Sequence, residues 1–412
     1  MNAFPAVDPI PLPAPVWLFK ALHVLTLALH FISVEMLLGA LLVAVWLNFR
    51  GASRRGGGAS SLRLNAAAVI ARRLPIVMTY VINLGVPPLL FAQVLYGRAL
   101  YTSSVLIGMY WIAVVFLLMA CYWLLYRFAA GAEAGRPAWW LGALAYLLAA
   151  VIARIYSTNM TLMLRPEVWQ AMYSTTAAGT HLPPYDPTLV PRWLFMLTGG
   201  FWVAGLWMLW LAGRRTIEEP VRRYLAANGG WLAALAVSVQ VVVGLWALSM
   251  QPSVVLDGLG KNQICRIAGP LWLATVAAVF LFGAWAALKK PNSRAVGYVS
   301  TVLALVAMLA MAFYRDGLRD QTLLSHGYDV WDRAVVTNWS VVAIFLVVLV
   351  ACVAGSLPLP VAAMASSGTR ASQLLIARSA AAVVFLPVGQ KRTRSDHDPS
   401  CQSGKLVFHM LL

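Results

Sequence analysis

The residues best able to do chemistry lie in the first apolar stretch of the chain, and they are His23, His30 and Glu35. A spacing of seven residues is close to two helical turns, so the two imidazoles share one helix face, about 10 Å apart along the axis. Glu35 lies off that face. Ionisable groups within a membrane helix are costly and mark functional sites. The pattern therefore predicts a cofactor-ligating or proton-handling stripe; histidines that only hydrogen-bond to neighbouring helices are the alternative.

Nine apolar stretches, each long enough to cross a bilayer, must position these residues. The chain is 61% hydrophobic and only 11% charged, with a mean hydropathy of +0.76. Backbone groups in lipid must be paired within the segment, so we expect helices. The sequence predicts an all-α polytopic transmembrane bundle of about nine spans. The predicted spans are 16–48, 75–96, 104–127, 139–157, 192–212, 230–250, 267–288, 295–314 and 337–357.

Arginine and lysine concentrate in alternate connections, above all in the connection 49–74. The positive-inside rule then predicts an outer N-terminus and a cytoplasmic C-terminus, in a bacterial inner membrane. The net charge of +17 is explained by anionic lipid headgroups, so the bilayer and not nucleic acid is the expected partner. We expect a Pro-rich segment at 1–15, a membrane domain at 16–357 and a poorly ordered tail at 358–412.

The second span carries Gly85, Pro87 and Pro88 in its middle, and this predicts a break in the helix at that depth. Irregular backbone within a membrane is tolerated where it is buried in protein or lines a cavity. The amides of Asn83 and Gln93 bracket the break and are candidates to pair its free carbonyls. A simple proline kink used for packing is the alternative.

Three connections are expected to be structured and not merely linking: 158–191, the sixth around Asp257, and the eighth from Arg315 onward. His181, Asp257 and His326 form a possible outer-loop site there. The chain has no CxxCH haem-attachment motif, and it has no P-loop, HExxH or GxSxG motif. Soluble-type hydrolase and nucleotide-binding chemistry therefore lacks a motif.

Two segments resemble subunit I of the cytochrome bd quinol oxidases. HFISVEMLLGALLVAVW, from His30 to Trp46, looks like the family's opening span, in which a membrane histidine binds haem; the matching residue is His30. NLGVPPLLFAQVLYG, from Asn83 to Gly97, is similar to a second family pattern, which ends in an acidic residue four before a glycine. MQP at Met250–Pro252 is loosely like the family's Gln-Pro motif.

The resemblance implies a membrane electron-transfer protein with b-type haem on His30 or His23 and quinol as substrate. A methionine, a loop histidine or no residue would supply the opposite ligand. Glu35 and His23 are candidates to accept the quinol protons, with Arg98 or Asp257 near the outer surface. Glu35, Gln93 and Arg98 are thus the predicted catalytic residues.

Two departures from the family pattern predict that the chain is not a complete oxygen reductase. Gln93 replaces the family's glutamate and cannot carry a proton, and the middle spans contain no histidine. The expected role is a quinol-linked oxidoreductase component, with other respiratory subunits or a cytochrome c as partners. A transporter with a Pro-broken second helix, or a membrane anchor or scaffold subunit, are the alternatives.

Overall fold

The computed structural model describes Phe4 and residues 11–53, 57–176, 178–291 and 293–356. The described residues form twelve α-helices, and the only extended pairing among them is a bridge between Leu12 and Val335. The helices are α1 Val16–Ser53, α2 Gly58–Ala71, α3 Leu74–Leu106, α4 Gly108–Glu133, α5 Trp139–Leu162, α6 Pro166–Thr175, α7 Leu189–Ala212, α8 Glu219–Ser249, α9 Ser253–Lys261, α10 Gln263–Lys289, α11 Arg294–Ser325 and α12 Trp339–Ser356.

Each of the nine predicted spans coincides with one of these helices, which confirms the all-α polytopic fold. Among the described residues, eight helical segments are long and apolar enough to cross a membrane, with α2 and α3 forming one of them together. The ninth predicted span corresponds to α12, whose apolar part, Trp339–Ala351, is shorter. The predicted tail at 358–412 lies outside the described residues.

Helix α1 is the central element of the bundle and packs against α2, α3, α5, α7 and α11. Glycines bring α1 and α7 into backbone contact, since a β-carbon on Gly39 would overlap the carbonyl of Gly200. Much of α1 is therefore enclosed by protein, whereas Trp17, Leu25 and Trp46 remain exposed. Residues 11–15, directly before α1, are also fixed in place: the Leu12 amide donates to the Ala334 carbonyl at 2.8 Å.

The predicted break at the prolines of the second span is wrong, because α3 continues through both Pro87 and Pro88. The backbone leaves helical geometry only at Tyr96, with φ −122° and ψ 21°. Each proline removes one amide donor, but membrane helices tolerate this where neighbouring groups pair the freed backbone. The Pro88 carbonyl lies 3.0 Å from the His23 ring on α1. Asn83 and Gln93 were predicted to pair the carbonyls freed by a break, but α3 has no break between them, and Asn83 is exposed.

The eighth connection was predicted to be structured, and its first part is helical, since α11 runs eleven residues past the expected end at 314. Its last three turns carry Asp316, Arg319 and Asp320, which are 8%, 6% and 9% exposed. Hydropathy alone assigns such residues to solvent. Residues three and four apart share a helix face. On this face, Asp316 and Asp320 contact the ammonium group of Lys20 on α1, which allows the charged turns to stay helical and buried.

Short helices occupy the other connections that were expected to be structured. Helix α6 lies within 158–191, and α9 lies in the sixth connection. Helix α2 forms within the basic connection 49–74, outside the predicted spans. Ser60 at its start donates to the Gly51 carbonyl at 2.5 Å, which folds α2 back against the end of α1.

Candidate functional site

A cluster of charged side chains is buried near the start of α1, between α3 and α11. Lys20 Nζ lies 2.8 Å from Asp316 Oδ2, 2.5 Å from Asp320 Oδ1 and 2.8 Å from the Tyr96 hydroxyl. The lysine and aspartate side chains are 6%, 10% and 11% exposed. Each of the three ammonium protons therefore has an acceptor oxygen. We call Lys20, Tyr96, Asp316 and Asp320 the Lys20 cluster.

The carboxylates of this cluster have further partners. The Tyr96 hydroxyl donates to Asp316 Oδ1 at 2.6 Å, and the indole N–H of Trp331 donates to Asp320 Oδ2 at 3.2 Å. Buried ions are tolerated when they are paired and hydrogen-bonded in this way. The cluster thus joins α1, the bend of α3 at Tyr96 and the last turns of α11.

His23 lies one turn further along α1 and has both ring nitrogens engaged. Nδ1 is 3.0 Å from the Pro88 carbonyl oxygen, and Nε2 is 3.0 Å from Nη1 of Arg319. A carbonyl can only accept and a guanidinium can only donate, so Nδ1 carries the proton and Nε2 accepts. His23 is 2% exposed. In this arrangement it has no free lone pair for a metal.

His30 differs from His23 in its pairing. Its Nδ1 is buried and has no hydrogen-bond partner among the described groups, while the backbone of Val81 on α3 lies beside the same ring. The ring packs on Gly85 of α3, where a β-carbon would lie 2.9 Å from Cε1 and 3.1 Å from Nδ1 of His30. The absence of a side chain at Gly85 therefore makes room for this imidazole.

Glu35 lies on another face of α1, against α7 and α8. Its residue exposure is 1%, and neither carboxyl oxygen has a hydrogen-bond partner among the described residues. Within α1 it is fifteen residues from Lys20, about 22 Å along the axis. Glu35 and the Lys20 cluster are therefore separate sites.

A cation lies close to the His30 region. The guanidinium of Arg315 on α11 is 5.0 Å from the ring centre of Phe31, and that ring is 6.1 Å from the His30 ring. Within the part of the chain that the structure describes, the Arg315 side chain forms no hydrogen bond or ion pair. Its charge is therefore available to an anionic group beside α1.

The other predicted catalytic residues, Gln93 and Arg98, flank Tyr96 on α3. Gln93 is half-buried, with its Oε1 3.5 Å from the Tyr101 hydroxyl. The Arg98 guanidinium lies 5.3 Å from the ring centre of Tyr328. The structure thus brings them near the bend in α3 and not to His30 or Glu35.

The three residues of the predicted outer-loop site are all exposed. His181 precedes α7, Asp257 lies on α9, and His326 follows the end of α11. None of them has a hydrogen bond to the Lys20 cluster among the described residues. Their role as a site stays a prediction.

An apolar groove of about 790 Å³ runs beside the second half of α1. Trp46, Trp139 and Trp231 form part of its wall, which contains neither an imidazole nor a carboxylate. The groove therefore offers apolar surface and no group that could ligate a metal through nitrogen.

Sequence reasoning overlooked Lys20, Arg319 and the pairing of Asp316 with Asp320. Two signals were present. Lys20 precedes His23 by three residues, which places both on adjoining turns of one helix, and Asp316 precedes Asp320 by four, which places both on one face. The predicted span ended at residue 314 because charged residues lower the hydropathy. Asp316 and Asp320 were therefore assigned to a connection, and their shared helix face was not recognised.

The described residues contain no group of three or more histidine, cysteine or acidic side chains arranged to hold a metal ion. A haem makes a smaller demand, because the porphyrin supplies most of the iron ligands and the protein adds only one or two axial side chains. Among the α1 histidines, His30 alone keeps a buried ring nitrogen without a partner.

These features define the class of protein: an integral membrane helix bundle with ionisable groups enclosed around its first helix. No protein-family model matches the chain, and no curated protein sequence matches it. Its fold, however, matches that of a chain in the structure of bd oxidase from Geobacillus thermodenitrificans. The TM-score is 0.66 at 12% sequence identity, over 85% of this chain and 98% of the other. The predicted distant resemblance to the cytochrome bd oxidases is therefore confirmed at the level of the fold.

Proposed function

We propose that the chain is a bd-like membrane electron-transfer protein that binds one b-type haem through His30 and exchanges electrons with quinol. The observation that carries the proposal is the difference between the two histidines of α1. His23 is engaged at both nitrogens, whereas His30 keeps a buried nitrogen without a partner. A buried imidazole nitrogen without a partner is costly unless a ligand completes it.

The surroundings of His30 fit a haem in two respects. Gly85 leaves space for the imidazole on the α3 side. Arg315 supplies a half-buried positive charge near the neighbouring Phe31, and this charge suits the anionic propionate groups that haem carries. When bound, a haem would supply one-electron transfer, and its potential would depend on the axial ligand and the burial around it.

The residues of the chain would hold that group and exclude water from it. His30 would ligate the iron and Arg315 would orient the propionates. His23 would keep α3 and α11 in place through Pro88 and Arg319. The proposed haem ligand is therefore His30 alone, and the predicted ligand role of His23 is replaced by a positioning role.

The quinol part of the proposal is supported only by the similarity of the fold to a bd oxidase chain. Of the predicted catalytic residues, Gln93 has no proton to exchange and Arg98 keeps its proton at any ordinary pH. Glu35 is the one among them that can exchange a proton. Oxygen reduction is not part of the proposal, because Gln93 stands in place of the family's glutamate. The proposed setting is the bacterial inner membrane, with an outer N-terminus and with other respiratory subunits or a cytochrome c as electron partners.

The transporter alternative rested on a helix broken at mid-membrane. Helix α3 passes through Pro87 and Pro88 without such a break. The anchor or scaffold alternative leaves the unpaired groups of His30 and Glu35 without a role. The electron-transfer proposal therefore accounts for more of the observed side chains.

The test is a reduced-minus-oxidised visible spectrum of the detergent-purified protein, with haem counted per chain. We expect a b-type signal at about one haem per chain in the wild type. His30→Ala should lose it, whereas His23→Gln, a matched change on the same helix, should retain it. Haem-free protein that is folded and was produced with haem supplied would overturn the proposal, and so would equal haem content in both variants.

A further inference from the structure

Glu35 is an isolated carboxyl group in the middle of the most enclosed helix. It is 1% exposed, and both of its oxygens lack a hydrogen-bond partner among the described residues. None of the ion pairs in this part of the chain includes it. A polar group with this degree of burial normally has at least one partner.

Gly199 on α7 provides the space for this carboxyl. A β-carbon on Gly199 would lie 2.5 Å from Glu35 Oε1 and 2.7 Å from its Cδ, and it would also overlap the Gln240 amide. The absence of a side chain at Gly199 therefore makes room for the Glu35 carboxyl group against α7.

A neighbouring amide, Gln240 on α8, forms its hydrogen bonds with other groups. Its Oε1 accepts from the Trp202 indole at 2.7 Å, and its Nε2 donates to the Phe195 carbonyl at 3.2 Å. These bonds fix the amide and leave it 1% exposed. The amide therefore helps to enclose Glu35 without pairing with it.

Other charges lie far along the helices that enclose Glu35. On α1, Lys20 and Arg50 are each fifteen residues away, about 22 Å. On α7, Arg192 is seven residues before Gly199, about 10 Å. The remaining titratable groups on these helices are His23, His30, Glu219, Arg222, Arg223 and Tyr224. The α8 members of that set are sixteen or more residues from Gln240, about 24 Å or more. On α11, Arg315 lies against Phe31, one turn before Glu35 on α1, but it forms no ion pair with Glu35. Among the described residues, no cation therefore lies within ion-pairing distance of Glu35.

An ionised carboxylate without a partner costs so much in such surroundings that the group takes up a proton instead. We infer that Glu35 is held as a neutral carboxylic acid and donates its proton to a quinone oxygen when the quinone takes up electrons, which leaves a carboxylate until the group is protonated again. This differs from the acceptor role expected from the sequence, since an acid that already holds its proton cannot take the proton of a quinol. The donor role rests on the proposed electron-transfer function, whereas the neutral state does not. Ionisable groups enclosed within membrane domains commonly belong to proton relays.

The neutral state is tested by infrared spectroscopy of the purified full chain at neutral pH. We expect a carboxylic acid C=O band that moves to lower frequency in D₂O and is absent from Glu35→Gln. Asp320→Asn is the matched control and should keep the band, because Asp320 is ion-paired with Lys20. A carboxylate band lost in Glu35→Gln, or identical spectra for that variant and the wild type, would overturn the inference.

Glu35→Asp serves if the glutamine variant does not fold, and its acid band should appear at a changed frequency; an unchanged spectrum would overturn the inference. The donor role is tested by reducing the haem-loaded protein in the presence of quinone, which should diminish the Glu35 band. A band that is unaffected by reduction in haem-loaded protein would overturn the donor role. Absence of haem with the band present would overturn the electron-transfer proposal and leave the neutral acid established.

Discussion

The ionisable side chains at the start of α1 are fully hydrogen-bonded, whereas those in the middle of the same helix have buried polar atoms without a partner. At the start, Lys20 has three acceptors and His23 has a partner at each nitrogen. In the middle, His30 has an unpaired nitrogen and Glu35 has two unpaired oxygens. All four groups are carried by one helix and lie largely within the bundle. The difference lies in the neighbouring helices, which supply partners at one place and glycines at the other.

The two histidines make the comparison most direct, since they are seven residues apart on one helix face. The partners of His23 come from α3 and α11, whereas the neighbour of His30 on α3 is Gly85. A buried network that is fully satisfied fixes a structure, and buried groups without partners indicate a binding or reactive site. We therefore assign a structural role to the Lys20 cluster and the chemistry to the middle of α1.

The largest effect is expected from Lys20→Met, which leaves two carboxylates buried without their cation. Breaking a buried ion pair from one side costs about 3–5 kcal/mol. The measurement is thermal unfolding in detergent, followed by tryptophan fluorescence. Lys261→Met changes an exposed lysine and is the matched control. Adding Asp320→Asn to Lys20→Met should recover part of the loss. A Lys20→Met protein as stable as the wild type would contradict the structural role assigned to the Lys20 cluster.

A smaller loss is expected from Gly199→Ala, because its β-carbon would overlap the Gln240 amide and lie 2.5 Å from Glu35 Oε1. Overpacking of this kind costs about 1–3 kcal/mol. Unfolding measurements should show the loss, and Glu35→Ala in the same protein should recover part of it. Gly260→Ala, at a site with no neighbour within 4 Å, is the control and should be neutral. Equal stability of the two alanine variants would contradict the packing of Glu35 against α7.

Gly85→Ala should have less effect on stability, about 1 kcal/mol, since the His30 ring can turn away from the new methyl group. Its effect should appear instead in haem content or in the position of the haem band, because the proposed ligand is displaced. Gly97→Ala on the same helix is the control, since its β-carbon would make only ordinary contact with Tyr101 at 3.5 Å. Unchanged haem properties in Gly85→Ala would argue against His30 as the ligand.

The smallest stability change is expected from Glu35→Gln. A glutamine has the shape of a neutral glutamic acid, so the free energy of unfolding should change by no more than about 0.5 kcal/mol. Unfolding curves of the two proteins at neutral pH provide the comparison. A decrease in the free energy of unfolding as large as that of Lys20→Met would mean that Glu35 is ionised and paired. Glu35 and the Lys20 cluster would then no longer differ in their pairing.

The sequence predicted the helices well because the length and apolar character of a span are local properties. His23, His30 and Glu35 were recognised for the same reason, as ionisable residues within an apolar stretch. The Lys20 cluster could not be predicted, because it depends on pairing between residues nearly 300 positions apart, such as Lys20 and Asp316. The course of α3 through its prolines also depends on neighbouring helices. The haem ligand could not be chosen from spacing, since the partners of His23 come from α3 and α11.

The most direct test of this comparison is resonance Raman spectroscopy of the reduced, haem-loaded protein, with and without ¹⁵N-labelled histidine. We predict an iron–histidine stretching band that shifts with the label, is lost in His30→Gly and returns when free imidazole is added. The same band should be present in His23→Gln. A band that survives in His30→Gly, or one that is lost in His23→Gln while the protein stays folded, would contradict the assignment of the chemistry to the middle of α1.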